Sequence, residues 1–170
     1  MSLVEQIAPA CAWVSKQAQH VLINHDMIAG YTQLITRKYP LITEMSTGEH
    51  YISDDREATA AYILALDSIN FGSGYFTIAR ECGLELEYAV IAGGLKKSFE
   101  RGEFKTPAQW AGITAEDFSR MISVPLGTHP ELDKLLHSFE THLRETGNIL
   151  VTQYDGKVLN LLAACEGSAL

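Results

Sequence analysis

The chain has 170 residues, and 21 acidic against 13 basic residues give it a formal net charge of −8. Because nucleic acids are bound through clustered positive charge, and no basic run exceeds Lys96-Lys97, we expect no direct nucleic-acid partner. No apolar stretch approaches the ~18 residues of a membrane span, and the N-terminal residues lack signal-peptide order, which predicts a cytoplasmic protein without a membrane partner. Widely separated cysteines predict buried thiols in a reducing compartment and not a disulfide framework; they are Cys11, Cys82 and Cys165.

Helical periodicity begins near the N-terminus. Residues 3–19 predict one or two amphipathic helices, with Pro9 marking a start or a break. Residues 26–38 predict a further helix, which Pro40 ends because the residue before a proline avoids the α region. Residues 41–53 predict a loop.

The clearest predicted helix follows this loop. Asp54 and Glu57 have the spacing of a capping box, in which each side chain satisfies a backbone donor of the first turn. The run from Ala58 to Phe71 is apolar on nearly every face, which predicts a central buried helix. Gly72 and Gly74 are expected to end it.

Helical patterns fill the rest of the chain. The predicted spans are 85–101, a short helix capped by Thr106, another from Thr114 to Ile122, a long one from Thr128-His129-Pro130 to Gly147 or Tyr154, and 157–165. Gly93-Gly94, inside the first of these, indicates close helix packing. With no strand alternation, repeat or linker, the sequence predicts an all-α fold and a single helical domain over 1–170.

Asp67 is the candidate functional residue of the central helix. A buried carboxylate must be paired, hydrogen-bonded or neutralised. Asn70 lies one turn on, and Phe71 and Tyr75 add aromatic rings at the same end, a set that suits a planar heterocycle with a hydrogen-bonding edge. The alternative is structural: Asp67 pairs with a buried arginine or caps a neighbouring helix, and Asn70 holds backbone.

The six histidines do not predict a metal site. His20 and His25 are five residues apart, as are His137 and His142, whereas helical metal ligands lie three or four apart. His50 differs because it lies in the loop before the central helix, where it is either a ligand or proton-transfer group or a surface histidine. No nucleophile motif, phosphate-binding loop or dinucleotide motif occurs, so no cofactor is expected.

The segment LDSINFGSGYF, from Leu66 to Phe76, resembles the queuosine salvage protein family, whose core pattern is LD-x-(I/L)-NF. A histidine upstream belongs to the same pattern and is matched by His50. Residues 142–162 resemble a later segment of the family, and residues 166–169 resemble its small-residue stretch. Three separated motifs therefore occur in the family's order.

The resemblance implies an all-α enzyme related in fold to helix-hairpin-helix DNA glycosylases. Its activity would be hydrolysis of the N-glycosidic bond of queuosine 5′-monophosphate, which releases queuine for salvage into tRNA. The substrate is thus a small nucleotide or nucleoside, in keeping with the acidic composition. Family members are usually longer, and the lysine and aspartate motifs expected to act at the ribose do not occur in this chain. We therefore expect 1–170 to be the N-terminal part of a longer fold, a shortened homologue that needs a partner chain, or an inactive remnant, with its catalytic residues unassigned.

The resemblance also implies roles for the candidate residues. Asp67 and Asn70 would read or support the base, Phe71 and Tyr75 would stack on it, and His50 would contact the base or the ribose. The alternative is a non-catalytic helical module that binds a queuine-like base or a partner chain completing the fold.

Overall fold

The computed structural model describes residues 3–38, 48 and 50–166. The chain divides into two compact units: an N-terminal unit of residues 1–45 and 167–170, and a main unit of residues 46–166. The described part contains helices and turns and no strand, which confirms the all-α prediction. None of the described helices combines the length and the apolar character needed to cross a membrane.

The N-terminal unit contributes two helices, α1 (Leu3–Gln17) and α2 (His25–Lys38). Pro9 lies inside α1, so the expected start or break there is wrong: the proline removes one backbone donor without ending the helix. Most of the predicted loop 41–53 lies outside the described residues, and residues 50–55 are non-helical.

The main unit holds the other seven described helices. They are α3 (Arg56–Ser68), α4 (Phe76–Glu81), α5 (Tyr88–Glu100), α6 (Pro107–Trp110), α7 (Ala115–Ile122), α8 (Pro130–Gln153) and α9 (Val158–Ala164), with a 3₁₀ turn at Ser73–Tyr75. The long helix α8 packs against α6 and α7, and α3 packs against α5, α8 and α9.

The predicted cap of α3 is displaced by one residue. Asp55, not Asp54, is the N-cap, and its carboxylate accepts the backbone N–H of Glu57 at 3.0 Å. Glu57 is therefore the second residue of the helix and lies too early to complete a capping box. Its carboxylate instead accepts the N–H groups of Val158 at 2.6 Å and Leu159 at 3.0 Å, which caps α9 from a distant part of the chain. The capping boxes at the starts of α6 and α7 are confirmed.

Close packing of α6 and α8 forms one end of the core. Gly147 lies within α8, where a Cβ atom would stand 2.7 Å from the carbonyl oxygen of Pro107, so this glycine permits helix contact and does not end α8. Trp110 beside it is fully buried, and its indole N–H donates to the carbonyl of Phe104 at 2.6 Å. We call this contact the α6–α8 seam. The close packing predicted for Gly93-Gly94 is confirmed at Gly94, whose Cα faces the backbone carbonyl of Met121.

The cysteines are free thiols but are not buried as predicted. Cys11 and Cys165 are exposed, and Cys82 is half-buried. Cys165 directly follows α9, whose last residues are also exposed, so the apolar pattern there does not mark a covered face.

Candidate functional site

The family-like segment leaves the helical conformation earlier than predicted. Helix α3 ends at Ser68, with the fully buried Ile69 as its C-cap. Asn70 and Phe71 therefore follow the helix, and Asn70 is not one helical turn above Asp67. Gly72 then adopts a left-handed backbone with φ of +90°, and a Cβ there would stand 2.5 Å from the Leu135 side chain. Only glycine fits this turn.

An open cleft of about 140 Å³ lies beside this turn. Its lining residues are Leu66, Ile69, Asn70, Phe71, Ser73, Phe76, Tyr88 and Ile91. The base is apolar, whereas the amide of Asn70 is exposed and the rings of Phe71 and Tyr88 keep 38% and 40% of their surface exposed. Complete ligand pockets usually measure ~300 Å³ or more, so this cleft is smaller than a complete ligand pocket.

Tyr88 connects the cleft to His50. Its hydroxyl lies 2.9 Å from Nε2 of His50, which is half-buried just before α3. The imidazole also meets the ring of Tyr62 edge-on, with ring centroids 6.3 Å apart. Tyr62 is fully buried and donates its hydroxyl to the carbonyl of Ala92, and burial raises the pKa of Tyr62 to about 12. The histidine therefore stands among oriented aromatic groups at the edge of the cleft.

Tyr88 was not among the residues predicted from the sequence. It is separated from His50 by 38 positions, and no spacing rule relates a loop histidine to the first residue of a distant helix. The same helix contacts this loop again, because Nζ of Lys96 donates to the carbonyl of Gly48 at 3.2 Å. Helix α5 thus holds the histidine segment at two points.

Asp67 is exposed, and the expectation of a buried carboxylate is wrong. Within the described part of the chain, Asp67 lies on a solvent-exposed position of helix α3. The energetic cost of burying a carboxylate, which made this residue a candidate, therefore does not apply. Its carboxylate makes no hydrogen bond or ion pair with another described residue, so neither a buried arginine nor a neighbouring helix end holds it. Its role as a substrate contact stays a prediction.

Tyr75 and Phe71 lie on different surfaces. Phe71 lines the cleft and also packs on α8, with ring centroids 5.1 Å from Phe139 and 4.9 Å from His142. Tyr75 lines a separate groove along α8 together with His137 and His142. The structure therefore brings Asn70 and Phe71 to one cleft, whereas Tyr75 lines the other groove.

The remaining histidines have local roles or lie on exposed surface. His129 caps α8 by accepting the N–H of Glu131 at 3.2 Å, as its position before a proline predicted. His137 lies 3.1 Å from the carboxylate of Glu140. Within residues 3–38, 48 and 50–166, no three His, Cys, Asp or Glu side chains stand close enough to hold a metal ion.

Comparison with known proteins identifies the family. The family model described as queuosine salvage protein matches residues 50–170. The chain belongs to this family. The match begins at His50 and includes all three motif regions that resemble the queuosine salvage family, although residues 167–169 of the last motif lie outside the described part.

A named relative supports the same assignment. A queuosine 5′-phosphate N-glycosylase/hydrolase from Sphaerobacter thermophilus is 32% identical over 161 residues, which cover 92% of this chain and 48% of that protein. The chain thus spans about half the length of this queuosine salvage relative.

Proposed function

We propose that the cleft after α3 recognises the base of queuosine 5′-monophosphate, as part of an enzyme that hydrolyses its N-glycosidic bond and releases queuine for salvage into tRNA. The observation that carries this proposal is the cleft itself, which lies in the family-matched region and presents an amide and two uncovered rings. The printed activity of the Sphaerobacter thermophilus relative supports the reaction.

Recognition of a flat base follows from the chemistry at the rim. The amide of Asn70 can donate and accept hydrogen bonds at the edge of the base, and the ring of Phe71 can stack on its face. Asp67, exposed and not held by another described residue, can accept two N–H groups from a guanine-like edge. His50 would act on the base or the ribose, directly or through Tyr88. Tyr75 would take part only in a ligand that extends past Phe71.

The proposed reaction requires that the site also stabilise the departing base. Cleavage of the N-glycosidic bond develops positive charge at C1′, which a carboxylate stabilises while water completes the displacement. A 7-deazaguanine has carbon where ordinary purines accept a proton at N7, so the departing base must be stabilised from its other edges. Donors at the rim, such as the Asn70 amide, can supply part of that stabilisation. We assign no catalytic lysine or aspartate to this chain.

The wider architecture is part of the proposal. We propose a fold related to the helix-hairpin-helix DNA glycosylases, one helical domain over 1–170 that forms the N-terminal part of a longer fold, and a cytoplasmic location. The small volume of the cleft supports a site that needs another wall, from further sequence or from a partner chain. The excess of acidic residues supports a small nucleotide over a nucleic acid as the ligand.

Calorimetry with queuine and with queuosine 5′-monophosphate, and chromatographic measurement of released queuine, test the proposal. We expect the chain to bind at least one of the two ligands and Asn70→Ala to weaken that binding about tenfold. Asn148→Ala removes an exposed amide from α8, away from the cleft, and should bind as the unchanged chain does.

The outcomes separate the two functional hypotheses. Release of queuine supports the hydrolase directly, and binding without turnover supports the non-catalytic module for this chain. Absence of binding to either ligand contradicts both. If Asn70→Ala and Asp67→Ala both bind as strongly as the unchanged chain, the base lies elsewhere.

A further inference from the structure

We propose that the N-terminal unit is a dimerisation surface, and that its occupant is the same unit of a second copy of this chain. The surface has two parts. The α2 ridge is the row of exposed apolar side chains on one face of α2, which are Met27, Ile28, Tyr31, Leu34 and Ile35. The α1 groove lies between α1 and the segment that follows it, and is lined by Val14, Val21 and Ile23 with small residues such as Ala10 and Cys11. In the dimer, the α2 ridge of each copy lies in the α1 groove of the other.

The described residues of the N-terminal unit form no core. Every residue from Ile7 to Thr36 is exposed, and among the described residues those of the hydrophobic core all lie in the main unit. Helices as short as the 15 residues of α1 and the 14 of α2 are marginal in water when nothing covers their apolar faces. The two helices therefore need a further apolar surface to stabilise them.

The shapes of the ridge and the groove favour a second copy as that surface. The ridge residues occupy positions i, i+1, i+4, i+7 and i+8, which share one face of a helix. The groove has a volume of about 560 Å³ and an almost wholly apolar lining, to which Ser15 contributes a hydroxyl. None of the described residues of α2 lines this groove, so the ridge of the same chain leaves it open. A two-fold axis that places each ridge in the opposite groove covers both at once and closes the assembly as a dimer.

The distribution of charge also favours contact through the N-terminal unit. Residues 1–45 are neutral overall, because three acidic side chains balance three basic ones; they are Glu5, Asp26 and Glu44 against Lys16, Arg37 and Lys38. The formal charge of −8 therefore belongs entirely to residues 46–170. Two copies of a chain with this charge repel each other, and the repulsion is least where a neutral surface forms the contact.

The exposed apolar area is of the size that a stable dimer needs. Among the described residues, 17 large apolar side chains are exposed, and 11 of them lie between Ile7 and Ile35. At roughly 150 Å² for a fully exposed side chain, the exposed fractions of these residues leave about 1,000 Å² of apolar surface in water. The largest apolar patch of a typical monomer measures ~300–600 Å², whereas a stable dimer covers ~800 Å² on each partner. The N-terminal unit exceeds the first value and can supply the second.

Sedimentation velocity of the purified chain over a range of concentrations tests the dimer. We expect the chain to sediment as a dimer at micromolar concentrations. Ile28→Glu should raise the dissociation constant of the dimer about tenfold or more, because the symmetric contact would bury the new charge twice. Ile149→Glu is the matched control, since Ile149 is also a helical isoleucine, is 48% exposed against 49% for Ile28, and lies on α8 in the main unit. This control should leave the dissociation constant unchanged.

Cysteine alkylation, followed by peptide mass spectrometry, gives a second measurement on the unchanged chain. Cys11 is exposed and lines the α1 groove, whereas Cys82 is half-buried in the main unit. As the protein concentration rises through the range of dimerisation, alkylation of Cys11 should slow severalfold while the rate at Cys82 stays constant. This measurement needs no substitution, so it does not depend on whether a variant folds.

Three results would each overturn the inference. They are a chain that stays monomeric up to ~100 µM, equal effects of Ile28→Glu and Ile149→Glu on the dissociation constant, and a rate at Cys11 that does not change with concentration. Circular dichroism of each variant checks that the main unit keeps its helices. None of these measurements involves a nucleotide, so their outcome is independent of the proposed function.

Discussion

The α6–α8 seam and the cleft after α3 each combine a glycine with an aromatic ring. The ring at the seam is fully buried, whereas the ring at the cleft stays partly exposed. At the α6–α8 seam, Gly147 admits the neighbouring backbone and Trp110 is fully buried with its indole N–H bonded. At the cleft, Gly72 likewise admits a neighbour, the side chain of Leu135, but Phe71 beside it keeps 38% of its surface exposed.

The difference separates residues that stabilise the fold from residues available to a ligand. Burial of Trp110 at the seam removes apolar surface from water and gives the indole N–H a hydrogen-bond acceptor. Both interactions therefore stabilise the fold. The cleft leaves part of its apolar surface and its amide uncovered, so their interactions are available to a ligand. Substitutions in the two places should therefore change different measurements.

The largest expected effect is Trp110→Ala at the seam. Removing a fully buried indole should lower the free energy of unfolding by about 3–5 kcal/mol, measured by urea denaturation followed by circular dichroism. Phe71→Ala, at the cleft, should lower it by only about 1 kcal/mol, because much of that ring is already in water, while it weakens ligand binding. Equal losses of stability in the two variants would contradict the contrast between seam and cleft.

The adjacent glycines of α5 give a matched pair for close packing. A Cβ at Gly94 would collide with the backbone carbonyl of Met121, so Gly94→Ala should lower the free energy of unfolding by about 1–3 kcal/mol. Gly93→Ala meets nothing within 4 Å and should be neutral or stabilising by up to about 1 kcal/mol, since alanine is the better helix former. Urea midpoints of both variants measure the two changes in stability. A Gly94→Ala variant that is more stable than Gly93→Ala would contradict the packing of α5 against this carbonyl.

Two carboxylates on α3 extend the comparison to polar groups. Glu57 holds the N-terminus of α9, so Glu57→Ala should cost about 2 kcal/mol and speed amide hydrogen exchange in α9. Asp67→Ala removes an exposed carboxylate that no described residue holds and should change stability by no more than about 0.5 kcal/mol. A large stability loss in Asp67→Ala would mean that this residue has a structural role.

A pH-dependent effect is expected at Glu140, which accepts the N–H of Ala115 at the start of α7 and pairs with His137 and Arg144. Burial raises the pKa of this carboxyl, but the hydrogen bond from His137 and the charge and hydrogen bond of Arg144 outweigh it and hold the pKa below the usual value of a glutamate. A lowered pKa in the folded state means that the stabilisation is present above the unfolded pKa and is lost as the pH falls through the folded one.

Glu140→Gln tests this pH dependence. The variant should lose about 1 kcal/mol at pH 7, and the difference from the unchanged chain should shrink as the pH falls below the usual carboxyl range. Urea midpoints at pH 7 and at pH 3 measure it. A difference that stays constant across this range would show that the charge of Glu140 is not what stabilises α7.

Interactions between near neighbours in the sequence were predictable. The capping boxes at Thr106 and Thr114 join residues three apart, so their letters alone specify the contact. The same reasoning misplaced the cap at Asp54 by one residue, because Glu57 has partners more than 100 residues away that compete for its carboxylate.

The candidate site was predictable only in part. Its position after α3 followed from the family-like motif, and Asn70 and Phe71 do line a cleft there. The expected burial of Asp67 was a wrong interpretation of an apolar run, because periodicity does not say which face of a helix its neighbours cover. Tyr75 lines a different groove from Phe71, and its role at the site stays a prediction.

By itself, the sequence determined the all-α class and several helix starts, since these depend on contacts within one or two helical turns. It also contains the motifs that resemble the queuosine salvage family, since a motif is defined by the order of its residues. Only the tertiary structure decided that Tyr88 meets His50 across 38 positions and that Asp67 faces solvent. Such contacts arise when separate helices bury their apolar faces together, and the pairing of faces is a property of the whole packed unit.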